Sequence, residues 1–335
     1  MQTLHGLDGL LKIPRRSVMA VGNFDGVHLG HQRIFQTARE LAEARNADLV
    51  LVTFEPHTLS VLRPEAAPPR LTPGEIKLQL LESQGADYLV ILTPDKQVLD
   101  LTAEDFWVIL RDKIAVADLV EGASFRFGRG AKGNVELLQQ WSAGTPLQVH
   151  VVESVQAPLL DMQVTPVSSS VIRFLLSYGR VRDAAICLGR SYLLRGEVVK
   201  GYARGKSLGF PTANLQCDGQ LVPGDGVYAG RCVLEGKTYS AAISIGTMPT
   251  FGENQRQVEA HLIGFDGDLY GKTIGVELLD WMREQRTFLG VEPLKVQIHR
   301  DIEQIVAEAG RNFTRAIASA SMPGDAAISN TGGFA

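Results

Sequence analysis

The chain has 335 residues, a length that as a soft prior accommodates two domains. Hydrophobic residues make up 45% and charged residues 21%, an ordinary globular balance, and a net charge of −4 gives no basic footprint for nucleic acid. The three cysteines, Cys187, Cys217 and Cys232, are odd in number and far apart, which excludes a metal-ligand pattern or disulfide framework and points to reduced thiols in a cytoplasmic protein.

Residues 1–16, MQTLHGLDGLLKIPRR, read as a strand or loop leading in. They lack a basic start followed by an apolar core, so no secretory signal is expected, and no apolar run in the chain is long enough to cross a membrane. Val18 to Val21 is a short apolar run, expected as a buried strand. Gly22 and Gly26 then open a turn, with Asn23, Phe24 and Asp25 between them. His28 and His31 follow within one helical turn of each other, with Gly30 between, at the start of a helix-like stretch, GHQRIFQTARELAEA. A strand, a glycine-bearing turn and a helix start present backbone N–H groups to phosphate. The imidazoles can hydrogen-bond to phosphoryl oxygens, or supply charge when protonated. The competing reading is a helix cap with two surface histidines.

ADLVLVTF (47–54) is expected as a second buried strand, with a polar cluster, Glu55 to His57, just past its end. Open α/β sheets bind ligands at such strand ends. RPEAAPPRLTP (63–73) reads as a proline-rich surface loop. PGEIKLQLLESQG (73–85) reads as a helix, DYLVILT as the third strand, and LTAEDFWVILRDKI as a helix capped by Thr102. ADLVEG (117–122) and PLQVHVV (146–152) complete five strands. Strands alternating with helices predict a parallel, doubly wound α/β sheet with right-handed crossovers. Between the last two strands, GASFRFGRGAKGNVELL carries Ser124, Phe125 and Phe127; the two rings could equally be core. In VSSSVIRFLLSYGRVRDAAICLG (167–189), Ser168, Ser169 and Ser170 open a helix with Arg173 in its first turn. That combination caps a helix and can also hold phosphate. The first domain is expected to span residues 1–186.

From Tyr192 the texture changes to short β-like runs separated by turns, which suggests a small β-barrel. EPLKVQIHRDIEQIVAEAG is a closing helix ending near Gly310, and residues 317–335 have the composition of a disordered tail. GYARGKSLG is not a P-loop: Gly201 and Gly205 enclose three residues rather than four, and Gly209, Phe210 and Pro211 follow where a helix is required.

Five segments resemble the bacterial bifunctional riboflavin kinase/FAD synthetases. GNFDGVHLGH is similar to their HxGH nucleotidyltransferase signature, and SSSVIR to their second nucleotide motif, with Ser170 in place of threonine. GASFRFG resembles a flavin-approaching segment in which Ser124 replaces an Asp or Asn. LGFPTANL is similar to the riboflavin kinase signature, and Lys206 upstream stands where arginine is usual. The resemblance implies a Rossmann-like nucleotidyltransferase domain, then a riboflavin kinase barrel over 187–316. It implies riboflavin, FMN and ATP as substrates, FMN and FAD as products, and Mg²⁺ as the ion. It places ATP at Gly22, Asn23, Phe24, Asp25, Gly30, Ser169, Ser170 and Arg173 in one half, and at Gly209, Pro211, Thr212 and Asn214 in the other. Thr212 and Asn214 would also hold the metal. Flavin would meet Ser124, Phe125, Phe127 and Arg283. Glu259 is implied as the base for the kinase, in a segment where Gly246, Pro249, Thr250, His261, Tyr270 and Gly271 also match and Ser244 replaces asparagine. His28 and His31 would act in adenylyl transfer. The expected molecule is a monomer or weak homo-oligomer without nucleic-acid or membrane partners. The alternatives are a riboflavin kinase whose adenylyltransferase is impaired at Ser124, and a flavin sensor without turnover.

Overall fold

The computed structural model describes residues 1–201, 205, 208–248 and 253–309. Lys206, Pro249, Thr250, Gly310 and the expected tail lie outside the described residues.

Six parallel strands form the first sheet: β1 (Gln2–His5), β2 (Val18–Val21), β3 (Leu49–Phe54), β4 (Tyr88–Leu92), β5 (Asp118–Gly122) and, after a short ribbon of β6 (Arg126–Phe127) and β7 (Gly133–Asn134), β8 (Gln148–Val152). Their order is β1-β4-β3-β2-β5-β8, so the chain winds outward in both directions from β2. The expected doubly wound sheet is present, with β1 as a strand more than the five assigned from sequence. The near-continuous apolar runs suit strands buried on both faces. Met19, Val21, Val50 and Val52 face one core, and Val18, Ala20, Leu49 and Leu51 face the other.

Helices cover the sheet. α1 (Gly6–Leu10) and the long α2 (Leu29–Arg45) come first, followed by α3 (Thr58–Leu62) and α4 (Gly74–Glu82). α5 (Lys96–Leu99) and α6 (Ala103–Val108) follow β4, and α7 (Val135–Ser142) precedes β8. Thr102 caps α6 as expected, and the Asp105 carboxylate returns the bond to the Thr102 N–H. The 63–73 stretch is not wholly loop: α3 precedes it and Pro64–Ala66 forms a 3₁₀ turn.

A second ribbon, β9 (Gln156–Pro158) with β10 (Val164–Pro166), leads into α8 (Ser169–Ser177) and α9 (Val181–Leu188). The expected boundary at 186–187 falls in the last turn of α9. Beyond it, β11 (Tyr192–Val199), β12 (Ala213–Gln216), β13 (Gly226–Leu234), β14 (Lys237–Met248), β15 (Glu253–Leu262) and β16 (Thr273–Arg283) close an antiparallel barrel in the order β11-β12-β15-β14-β13-β16. A C-terminal helix, Val291–Ala309, packs on β14. One apolar core runs from Ile172, Leu175 and Ala184 on α8 and α9 to Leu194, Ile243 and Val276 inside the barrel. The two halves therefore share buried surface.

Two candidate phosphate sites

The first site lies where the sheet reverses direction. β2 pairs with β5 only through Val18 and Met19; above them the strands part, and the Val21 N–H donates instead to Glu121 Oε1 at 2.7 Å. A crevice at the carboxyl ends of diverging strands is where doubly wound sheets bind ligands. Glu121 is buried, and loss of solvent pushes its carboxyl well above the usual range, against the Val21 N–H bond that favours the charged form. Sequence reading missed it, because an acidic residue in a short strand carries no sign of whether it is buried.

Asp25 is the hub of the turn. Its buried carboxylate accepts from the Leu71 and Thr72 N–H groups, each at 3.0 Å, and pairs with the Arg173 guanidinium. Arg173 also donates to the Pro69 carbonyl at 2.9 Å, and the Ser169 hydroxyl to the Asp25 carbonyl at 2.8 Å. Thr72 Oγ1 accepts from the Gly26 N–H at 2.9 Å. The structure thus brings Asp25, Ser169 and Arg173 together, as the resemblance implied, and adds Thr72. Ser168 is the cap of α8, and Ser170 is exposed. Asn23 joins through its amide to Thr58 at 3.1 Å. The end of the proline-rich stretch is therefore anchored. Arg70 adds a two-point pair with Glu55 at 2.5 and 2.7 Å, and buried Lys77 reaches the same carboxylate at 2.9 Å. Burial alone would raise Glu55, but Arg70 and Lys77 outweigh it and hold it at about 2.

His28 and His31 stack with ring centroids 3.6 Å apart. His28 is the N-cap of α2: its Nδ1 accepts from the His31 N–H at 3.3 Å, which leaves the proton on Nε2. Gly30 lies so close under the His28 ring that a Cβ there would come within 3.1 Å of Cε1. Burial first, then the Arg190 charge, lowers the His28 pKa to about 4. Burial, with His28 and Arg190 beside it, also holds His31 well below the usual value. Of the two roles open to the imidazoles, hydrogen bonding and charge, these shifts favour the first. The shifts favour the neutral form of both rings. His31 Nδ1 is buried and has no partner among the described residues.

The flavin segment divides. Ser124 is exposed and Phe125 half-buried, both accessible to a ligand. Phe127 is instead core: it is 7% exposed and packs 5.1 Å from Phe106 and 6.4 Å from Trp141. Gly133 lies flat against its ring, where a Cβ would collide. Of the two readings left open for this ring, flavin contact and core packing, its burial favours packing.

The second site lies on the barrel. Ala213, Leu215, Val258 and Ala260 fill the interior, so the alternate residues point outward. Asn214 stands opposite Glu259, and Glu259 opposite Ser244, in one row across β12, β15 and β14. Gln285 ends the row by donating to the Ser244 hydroxyl at 3.0 Å; it was not foreseen. A Cβ at Gly201 would fall on the Asn214 amide, and one at Gly205 on the Phe210 carbonyl and against the Thr212 hydroxyl. These glycines leave a cradle around two oxygen donors beside a carboxylate, a donor set suited to a hard cation that keeps phosphate oxygens and water as its other ligands. His261 donates from Nδ1 to the Pro211 carbonyl at 2.8 Å and fixes the approach to Thr212. Pro211 and Thr212 line a cavity of about 490 Å³ bounded by Phe265 to Tyr270. Gly209 sits beside it in a left-handed conformation, φ +92°. Arg283 is committed to Asp301 on the C-terminal helix, with contacts of 2.7 to 3.1 Å, and lies 6.0 Å from the Phe288 ring. Its structural partner is thus a carboxylate rather than open solvent.

A crevice over a histidine-capped helix suits transfer of a nucleotidyl group, and a carboxylate beside a cation cradle suits transfer of a phosphoryl group. The class defined is a transferase with two phosphate-handling sites on one chain. Residues 10–170 match the FAD synthetase family and residues 188–308 the riboflavin kinase family. A bifunctional riboflavin kinase/FMN adenylyltransferase of Bacillus subtilis is 33% identical, over 87% of this chain and 92% of that protein. One from Escherichia coli K12 is 34% identical over 90% and 96%. A Streptococcus pneumoniae crystal structure described as a macrolide-efflux protein superposes with a TM-score of 0.78 at 30% identity, covering 90% and 98% of the two chains. The chain belongs to the bifunctional riboflavin kinase/FMN adenylyltransferase family. Among the described residues no helix is long and apolar enough to cross a membrane.

Proposed function

We propose the following division of labour for the two activities of the family. On the barrel, Glu259 accepts the proton of the riboflavin 5′-hydroxyl as that oxygen attacks the γ-phosphorus of ATP, and ADP leaves. In the crevice, a phosphate oxygen of FMN attacks the α-phosphorus of a second ATP, and pyrophosphate leaves with FAD formed. FMN brings its own anionic nucleophile, so this step needs no protein base. His28 and His31 donate N–H bonds to the oxygens on which charge grows. Ser169, Arg173 and the α2 N-terminus orient the triphosphate, with Gly22 to Asp25 forming the floor. Flavin approaches Ser124 and Phe125.

Thr212 and Asn214 would hold Mg²⁺, which supplies charge neutralisation at the phosphates when bound. Gly209 and Pro211 shape the approach of ATP beside them. The single observation that carries the reading is two separate clusters of polar side chains, one at the crevice around Asp25 and one on the barrel around Asn214 and Glu259. Both are built from one chain, which suits a monomer or weak homo-oligomer. Three free thiols suit the cytoplasm.

Glu259→Gln tests the reading. It should abolish FMN formation from riboflavin while leaving FAD formation from supplied FMN, and His28→Ala with His31→Ala should do the reverse. Retention of both activities in either variant would remove that assignment.

A further inference from the structure

Arg190 stands at the junction of the halves, two residues after α9 and two before β11. Its guanidinium reaches back into the other domain. Nη2 donates to the Gly26 carbonyl at 2.6 Å, and Nη1 to the carbonyls of Val27 at 3.0 Å and Leu188 at 3.2 Å. None of the ion pairs found among the described residues involves it. Carbonyls satisfy its donors without neutralising its charge, and burial lowers its pKa to about 10, so it stays cationic.

A half-buried cation without a carboxylate is costly. What it grips is the segment that most needs holding. Phe24, Gly26 and Val27 have φ of +48°, +90° and +39°, a left-handed run immediately before His28. A β-branched residue such as Val27 is an outlier there, and such backbone persists only where its surroundings over-determine it. Gln32 adds a second hold, donating to the Val27 carbonyl at 2.8 Å and the Leu188 carbonyl at 3.0 Å.

We propose that Arg190, from the kinase half, is a positioning residue for adenylyl transfer: it clamps the strained turn that presents His28 and His31. The proposal rests on the assignment of those histidines to that reaction. It carries a second consequence, because the same charge faces the rings. Around His28, Arg190 and Arg173 disfavour the imidazolium and Asp25 favours it; around His31, Arg190 and His28 disfavour it.

The test uses full-length Arg190→Met, Arg190→Lys and the double histidine variant. Riboflavin phosphorylation and adenylation of supplied FMN (kcat and KM separately) are measured on each, and the His28 ring titration by NMR on the parent and the two Arg190 variants. Arg190→Met should lower kcat for adenylation about a hundredfold, the scale of a small misplacement, with a lesser change in KM for ATP. Its kinase rate should stay within about twofold of the parent, because the kinase groups lie elsewhere on the barrel. Its His28 midpoint should rise from about 4. Arg190→Lys keeps the charge and loses the fork, so its midpoint should hold while kcat falls by an intermediate factor. Wild-type adenylation in Arg190→Met, with the double histidine variant inactive, overturns this inference alone. An active double variant overturns the histidine assignment as well. In Arg190→Met, lost adenylation with an unmoved His28 titration makes Arg190 a folding residue only and overturns the proposal. Should Arg190→Met lose both activities, Arg190→Lys decides: intact kinase with reduced adenylation upholds the clamp, and intact kinase with full adenylation overturns it.

Discussion

His28 should not titrate anywhere near the ordinary histidine range. Burial of the ring is the main cause, the Arg190 charge adds to it, and Asp25 opposes both without reversing them. A fall from 6.5 to about 4 corresponds to roughly 3 kcal/mol favouring the neutral ring. At pH 6 about one His28 in a hundred would then carry charge, against about three in four for an unperturbed imidazole. The measurement is the ring C–H signal of His28 in histidine-labelled full chain, assigned by its disappearance in His28→Gln and followed from pH 8 to pH 4. Rates alone would mislead, because phosphate monoesters such as FMN titrate near pH 6 themselves. Stability follows with a definite sign. The unfolded chain takes up this proton at about 6.5 and the folded chain only at about 4, so stability falls as pH drops through that window. The parent should lose up to about 3 kcal/mol more than His28→Gln between those limits. A midpoint above pH 6, or equal acid sensitivity of the two chains, would refute the burial argument and restore the charged-imidazole picture.

Asp25→Ala would leave the Arg173 guanidinium nearly buried without its carboxylate, so it should cost about 3 to 5 kcal/mol in denaturant unfolding and abolish adenylation. Phe127→Ala should cost about 3 to 5 kcal/mol as a core truncation while leaving KM for FMN nearly unchanged in protein that folds. The Glu55 pair should stabilise the chain fully above about pH 4.5 and fade as pH falls toward about 2, so the stability difference between parent and Glu55→Gln should shrink across that window in acid titrations. Ser124→Asp places a carboxylate on an exposed edge of the flavin segment; it should change KM for FMN with unfolding free energy within about 0.5 kcal/mol of the parent.

Local pattern carried much of this molecule. The apolar run at Val18 to Val21 became β2, Thr102 and Ser168 became caps, and the alternating runs after Tyr192 became a closed barrel. In each case the physical signal lies within a few residues of the element it specifies. Several groups that shape the sites act at much greater range. Asp25 meets Arg173 across 148 positions, Gln220 donates to the Leu71 carbonyl across 149, and Arg190 reaches Gly26 across 164. Two of these three bonds end on backbone carbonyls, which have no letter in the sequence.

The loop before α4 shows the consequence. Its proline-rich composition reads as a surface loop, and local pattern gives no sign of what holds it. Yet Asp25 takes the Leu71 and Thr72 N–H groups, and Glu55 takes the Arg70 side chain. From the barrel, the Leu221 N–H donates to the Arg70 carbonyl at 2.8 Å and Gln220 to that of Leu71 at 3.2 Å. Every one of these holds comes from a residue distant in sequence, and two come from the kinase half. Residues 70–72 and the histidine turn are thus both fastened from the barrel, one by Gln220 and Leu221 and the other by Arg190. An adenylyltransferase half separated from its barrel would lose both sets of bonds and the apolar core beneath α8 and α9, so the geometry of the Gly26 turn and of residues 70–72 depends on the domain that follows them.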